Sequence, residues 1–117
     1  MHELAITQNL LGLVLEHAAR AGGGRVSGVH VVSGELSGVV DDSVRFYWEA
    51  VSEGTPAAGA CLHFRREPLL FECLACGSHF APVGATFDCV ECGDNRVRVA
   101  SGREFRLEAI DLEEEVP

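Results

Sequence analysis

Apolar residues near the start of the chain recur with a helical period. Ile6, Leu10, Leu13, Val14 and His17 fall at i, i+4, i+7, i+8 and i+11, one face of an amphipathic helix over residues 4–20. Ala21 and Gly22-Gly23-Gly24 end it. The β-branched residues Val29, Val31 and Val32 predict a strand over 25–34, with Gly28 marking a bulge or a close backbone approach. A loop to Val40 follows. Asp41 or Asp42 is suited to cap a second helix, in which Val44, Tyr47, Trp48 and Val51 share a face and which Gly54-Thr55-Pro56 ends. In residues 60–66, Ala60, Leu62 and Phe64 alternate with Cys61, His63 and Arg65, the mark of a half-buried strand. The last strand is expected over 102–112. Its alternation of Phe105, Leu107 and Ala109 slips to Ile110 and Leu112, which predicts a bulge or an end to pairing.

These elements predict an α+β fold: a small three-stranded sheet with two helices on one face. Residues 1–67 and 98–117 form that domain. Pro68 opens a separate module, residues 68–97, inserted before the last strand.

The module carries two CxxC pairs, Cys73-Leu74-Ala75-Cys76 and Cys89-Val90-Glu91-Cys92, each followed by a glycine, Gly77 or Gly93. A CxxC turn brings two thiolates to one side of a metal, and a second pair completes a tetrahedron. Two disulfides or a redox motif are the alternative; this spacing favours structural zinc held by Cys73, Cys76, Cys89 and Cys92. A closed four-sulfur site leaves no position at which to activate water. So short a module has little core of its own and depends on the metal to fold.

Charge narrows the partners. The chain of 117 residues carries a formal charge of −9, and all nine basic residues are arginine. Zinc on four thiolates makes it more acidic still. Phosphate backbones repel such a chain, and no arginine or lysine lies between Cys73 and Cys92, so no nucleic acid is expected as partner. No positive n-region opens the chain and no apolar run reaches membrane-spanning length, so neither a signal peptide nor a membrane contact is expected. Ligand cysteines beside an unpaired Cys61 point to a reducing cytoplasm.

Met1-His2-Glu3 is a second candidate site. A free Met1 amine, the His2 imidazole and the amide nitrogens of His2 and Glu3 are four nitrogens able to lie in one plane, the tetragonal geometry that nickel(II) and copper(II) favour. The Glu3 carboxylate can instead supply an oxygen to a six-coordinate site. Taken alone, the spacing is read more simply as a solvated terminal histidine and an acidic residue near a helix N-terminus.

Met1-His2-Glu3 opening a helix resembles the hydrogenase nickel-incorporation proteins of the HypA/HybF family. So do Gly34-Glu35-Leu36-Ser37-Gly38-Val39, Gly54-Thr55, Ala60-Cys61-Leu62, the paired CxxC motifs and Gly102-Arg103-Glu104-Phe105. The match runs in order over almost the whole chain, with Ala5 and Phe105 as minor departures, where serine and leucine are common. The resemblance implies a nickel metallochaperone for [NiFe]-hydrogenase maturation, not an enzyme. It would bind nickel through His2, assisted by the Met1 amine and the Glu3 amide or carboxylate, and hold zinc on the four cysteines. It would work with a maturation GTPase, deliver nickel to the hydrogenase large subunit, and exist as a monomer or weak homodimer.

The rival reading is a zinc-ribbon adaptor that binds protein or nucleic acid without nickel. Other candidates have plain structural explanations. His79 is read as an exposed loop residue near the zinc, able in principle to exchange with a sulfur there or to make a transient nickel contact. His17 reads as the edge of the core, Cys61 as a half-buried free thiol and Trp48 as core. His30 and His63 fall in strands where they can be neighbours, but the sequence offers no support for a metal pair there. No nucleophile–base pair or phosphate-binding loop is found.

Overall fold

The computed structural model describes residues 3–84 and 86–113. Met1 and His2, two of the three residues of the proposed terminal site, lie outside them. The elements run α1 (Glu3–Arg20), β1 (Val26–Gly34), α2 (Asp41–Ser52), β2 (Cys61–Glu67), β3 (Leu70–Cys73), β4 (His79–Phe80), β5 (Val97–Ser101) and β6 (Phe105–Leu112). The fold is α+β, as the pattern predicts. The main sheet has the order β2-β1-β6, with β2 parallel and β6 antiparallel to the central β1. Helix α2 is the crossover that a parallel pair requires.

The two helices pack on each other, and α1 also lies against β6. Leu10, Val14 and Ala18 of α1 meet Val44 and Trp48 of α2 over Val29, Val31 and Leu62 of the sheet. The buried stripe of α1 is rotated from the expected one. Thr7 and Ala18 are buried, while Leu13 and His17 are exposed, so His17 is not a core-edge residue. Thr7 tolerates full burial because its hydroxyl donates to the Glu3 carbonyl at 2.6 Å.

Neither Asp41 nor Asp42 caps α2. The cap position is Val40, in extended conformation and without a side-chain bond to the helix. Both aspartates fall in the first turn, where the helix dipole favours them. Asp41 is used elsewhere, accepting a hydrogen bond from the buried Ser33 hydroxyl at 2.7 Å.

The phase slip in β6 is a bulge at Glu108. The register passes from His30↔Ala109 directly to Val31↔Leu107, and pairing continues to Leu112. Both Glu108 and Ala109 point outward, while Phe105, Leu107, Ile110 and Leu112 pack on the core.

A second sheet, β4-β3-β5, organises the cysteine module. Val97–Ser101 pairs with Leu70–Cys73, so this sheet extends to Ser101, and the last strand starts at Phe105 instead of residue 102. The two sheets join at a clasp. The Gly34 amide donates to Glu104, Glu35 to Glu67 and Leu36 to Gly102, at 2.7, 2.9 and 2.7 Å. The Glu35 carboxylate accepts from the Leu69 amide, and that of Glu67 from the Gly102 amide. Gly102 has φ 92°, and a Cβ there would lie 2.7 Å from the Pro68 carbonyl oxygen. Glycine is required at this turn.

Candidate metal centre

The cysteine site is built from two turns of the same design. Cys73 closes β3; its amide donates to the Ser78 carbonyl, and the Gly77 amide returns to the Cys73 carbonyl, both at 2.9 Å. In the second turn, the Cys89 amide donates to Asp94 and the Gly93 amide to Cys89, again at 2.9 Å. Gly77 and Gly93 have φ of 80° and 77°, the left-handed conformation that lets each turn fold back. The Leu74 amide donates to Arg96 at 2.8 Å, tying one turn to the strand that leaves the other.

This pairing of turns brings the four sulfurs together. Cys73 Sγ lies 3.6 Å from Cys92 Sγ, and Cys76 Sγ 3.6 Å from Cys89 Sγ. All four lie within 4.8 Å of one another. Zinc–sulfur bonds of about 2.3 Å make a tetrahedron with edges of about 3.8 Å, so the cluster fits that ion. These short contacts cross from one turn to the other. A disulfide needs about 2.05 Å, and a redox CxxC pair would bond within its own turn. All five cysteines are free.

The surroundings divide the thiols into unequal partners. Ser78, through its hydroxyl and then its backbone, draws the Cys76 thiol down to about 6, with smaller help from Cys89 and Cys73. Asp94's amide favours the Cys92 thiolate, but Cys73, desolvation, Cys76 and Cys89 outweigh it and push Cys92 up to about 12. One thiol thus ionises readily, while another keeps its proton until a cation arrives. The Glu91 amide also points at Cys89 Sγ, at 3.4 Å. Cys73 and Cys89 are buried beside Phe71 and Phe80, which form the module's small apolar core with Leu69, Val97 and Val99.

Two carboxylates of the module are paired with basic side chains. Arg96 donates through Nε and Nη2 to the two Asp94 oxygens at 3.0 and 2.9 Å, drawing that carboxyl down to about 2. Glu72 receives His79 at 3.2 Å and also Arg98, which together hold it below its ordinary value. His79 sits on β4, exposed and engaged with Glu72, not in a loop as expected. Cys61 is an exposed thiol, not a half-buried one.

Of the terminal candidates, only Glu3 is described. It is the first residue of α1. The carbonyls of Ser78 and Asp94, which close the two cysteine turns, were not identified from sequence; their equal offset from the first cysteine of each pair was the available signal. No described helix is long and apolar enough to cross a membrane.

Comparison with known proteins adds a consistent set of likenesses. The family model described as "Hydrogenase/urease nickel incorporation, metallochaperone, hypA" matches residues 1–112. The hydrogenase maturation factor HypA of Caldanaerobacter subterraneus subsp. tengcongensis is 40% identical over 114 residues, covering 97% of this chain and all of that protein. The solution structure of a HypA protein aligns with a TM-score of 0.78 at 26% identity, covering 98% of each chain. That of the Ni metallochaperone HypA from Helicobacter pylori aligns at 0.71, also 26% identical, covering 98% of this chain and all of that one.

Proposed function

We propose, because this chain belongs to the HypA family of hydrogenase/urease nickel-incorporation metallochaperones, that it carries nickel(II) at its amino terminus and hands the ion on by protein contact. The observation that carries the reading is the family match over residues 1–112, which includes Met1-His2-Glu3. The place of Glu3 adds a physical reason. As the first residue of α1, its amide is among those with no intrahelical acceptor. It can surrender a proton to a metal without breaking the helix. His2 is the principal ligand, the Met1 amine the second, and the Glu3 amide or carboxylate completes the set.

Zinc is the resident ion of the four cysteines and serves structure. The two ligand sets share no residue, and each ion takes the donors it prefers: thiolates for zinc, nitrogens for nickel. The protein works in the cytoplasm as a carrier without catalytic turnover, as a monomer or weak homodimer. Its partners are a maturation GTPase and the hydrogenase large subunit.

The test is His2→Ala. Tight nickel binding is expected to vanish while zinc content, measured by elemental analysis, stays at one ion per chain. Unchanged tight nickel binding would place the ligands elsewhere.

A further inference from the structure

On the sheet face away from the helices, three metal-binding side chains converge that belong to neither site above. His30 and His63 are register partners on β1 and β2, and their rings stack with centroids 4.7 Å apart. Asp111 of β6 reaches His30 from the other side, its Oδ2 2.8 Å from Nε2. Donor atoms of His30, His63 and Asp111 all lie within 4.8 Å of one another.

Two backbone features make this meeting possible. The bulge at Glu108 resets the phase of β6, so that Asp111 points outward while Ile110 and Leu112 pack on the core. Gly28, the register partner of Asp111, leaves the space that its carboxylate fills. A Cβ on Gly28 would lie 3.2 Å from Asp111 Cγ and would overlap Oδ2. The carboxylate therefore lies across a glycine to reach the histidine in the next outward row.

We propose that His30, His63 and Asp111 form a labile binding site for a borderline first-row divalent cation, nickel(II) or zinc(II). Two imidazoles and one carboxylate are a donor set such ions accept, and bonds of about 2.1 Å require ligand atoms about 3.4 Å apart in a tetrahedral site. Small rotations of these side chains close the difference. None of them is locked by packing, since His63 is exposed and the side chains of His30 and Asp111 are 38% and 54% accessible. In the free protein, Asp111 holds the ring of His30 by a single hydrogen bond, and the ion replaces the shared proton. Three protein ligands on an open surface leave further positions to water, so the ion stays exchangeable, unlike one enclosed by four sulfurs. The proposal does not depend on the nickel reading of the amino terminus.

The experiment removes that terminus from consideration. Untagged His2→Ala protein, with its cysteine site filled by zinc and its backbone labelled with nitrogen-15, is titrated with nickel chloride and followed by NMR. Nickel with two imidazoles, a carboxylate and water is paramagnetic. Saturable loss of amide signals is expected around residues 28–30, 61–63 and 109–111, with zinc chloride competing. Adding His63→Ala or Asp111→Asn should weaken binding at least tenfold. Gly28→Ala, which keeps every ligand but displaces the carboxylate, should weaken it by about tenfold. Cys61→Ser, at the next outward position of β2, should leave it unchanged. The unperturbed amide spectrum of each variant checks its fold. Signal loss centred elsewhere, no saturable loss, or equal affinity in the well-folded His63→Ala protein would overturn the proposal.

Discussion

Gly34 and Gly102 meet backbone to backbone at the clasp between the two sheets. A Cβ on Gly34 would lie 2.7 Å from the Glu104 carbonyl oxygen and closer still to that of Gly102. Neither oxygen can retreat cheaply, because each accepts a hydrogen bond, from Gly34 and Leu36 respectively. Gly34→Ala is expected to destabilise the protein by about 1–3 kcal/mol, the usual cost of forcing atoms into a filled space. Thermal unfolding measures it. An unchanged midpoint would mean the clasp yields without cost.

Glu35 supports the same junction differently. Its carboxylate accepts from the Leu69 amide at 2.8 Å, just before β3 begins. Glu35→Ala should leave the helical core intact but raise hydrogen exchange at Leu69, because that amide loses its acceptor. Faster exchange throughout the main sheet instead would show a general loss of stability.

Removing one thiolate opens the tetrahedron. Cys73→Ala and Cys92→Ala are each expected to lose zinc, and with it protection from exchange across residues 73–97, since few apolar residues support that module. The main domain, with its separate core, should keep its protection. Full zinc occupancy in both variants would contradict the assignment.

Zinc affinity should rise with pH. Cys92, pushed up to about 12, is protonated at neutral pH in the metal-free protein, whereas Cys76, near 6, is already largely ionised. Zinc must displace the protons that remain, so acidification favours the metal-free form. Competition with a chelator, corrected for the chelator's own protonation, should show weaker zinc binding at pH 6 than at pH 7.5. Pooled proton release measured in weakly buffered solution should be positive.

The terminal amine offers a test without substitution. Acetylation removes the Met1 amine as a donor and leaves His2 in place. Nickel affinity is expected to fall, and any weak visible band of square-planar nickel(II) to disappear. Identical affinity and spectrum after acetylation would favour a side-chain site of His2 and Glu3.

Periodicity made α1, α2 and β2 legible, because each buries one face, while β1, buried for most of its length, was legible from its β-branched residues. Periodicity placed the stripe of α1 wrongly, since hydropathy does not register that the Thr7 hydroxyl is satisfied by the turn beneath it. The second sheet was not foreseen. Strands β3, β4 and β5 are short and separated by the metal turns, so the alternation in β3 and β5 runs for only four or five residues and does not stand out as a strand. The cluster of four cysteines was legible from spacing alone, whereas the proposal of His2 as a nickel ligand gained weight only through the family resemblance. Asp111 was hidden by the Glu108 bulge, which changes the face of every residue after it.

The order of strands in the main sheet has a consequence for assembly. Its middle strand, β1, finds one partner soon afterwards in β2, but the other, β6, is the last element of the chain. Everything between Glu67 and Phe105 must be spanned before that edge can close, and a long flexible span costs entropy. The clasp brings the two ends of the insertion together, and a metal on the four sulfurs shortens the loose chain between them. A cation bound by the four sulfurs would thus act at a distance as a closing aid for the larger domain. Protein made without it should complete its final edge more slowly.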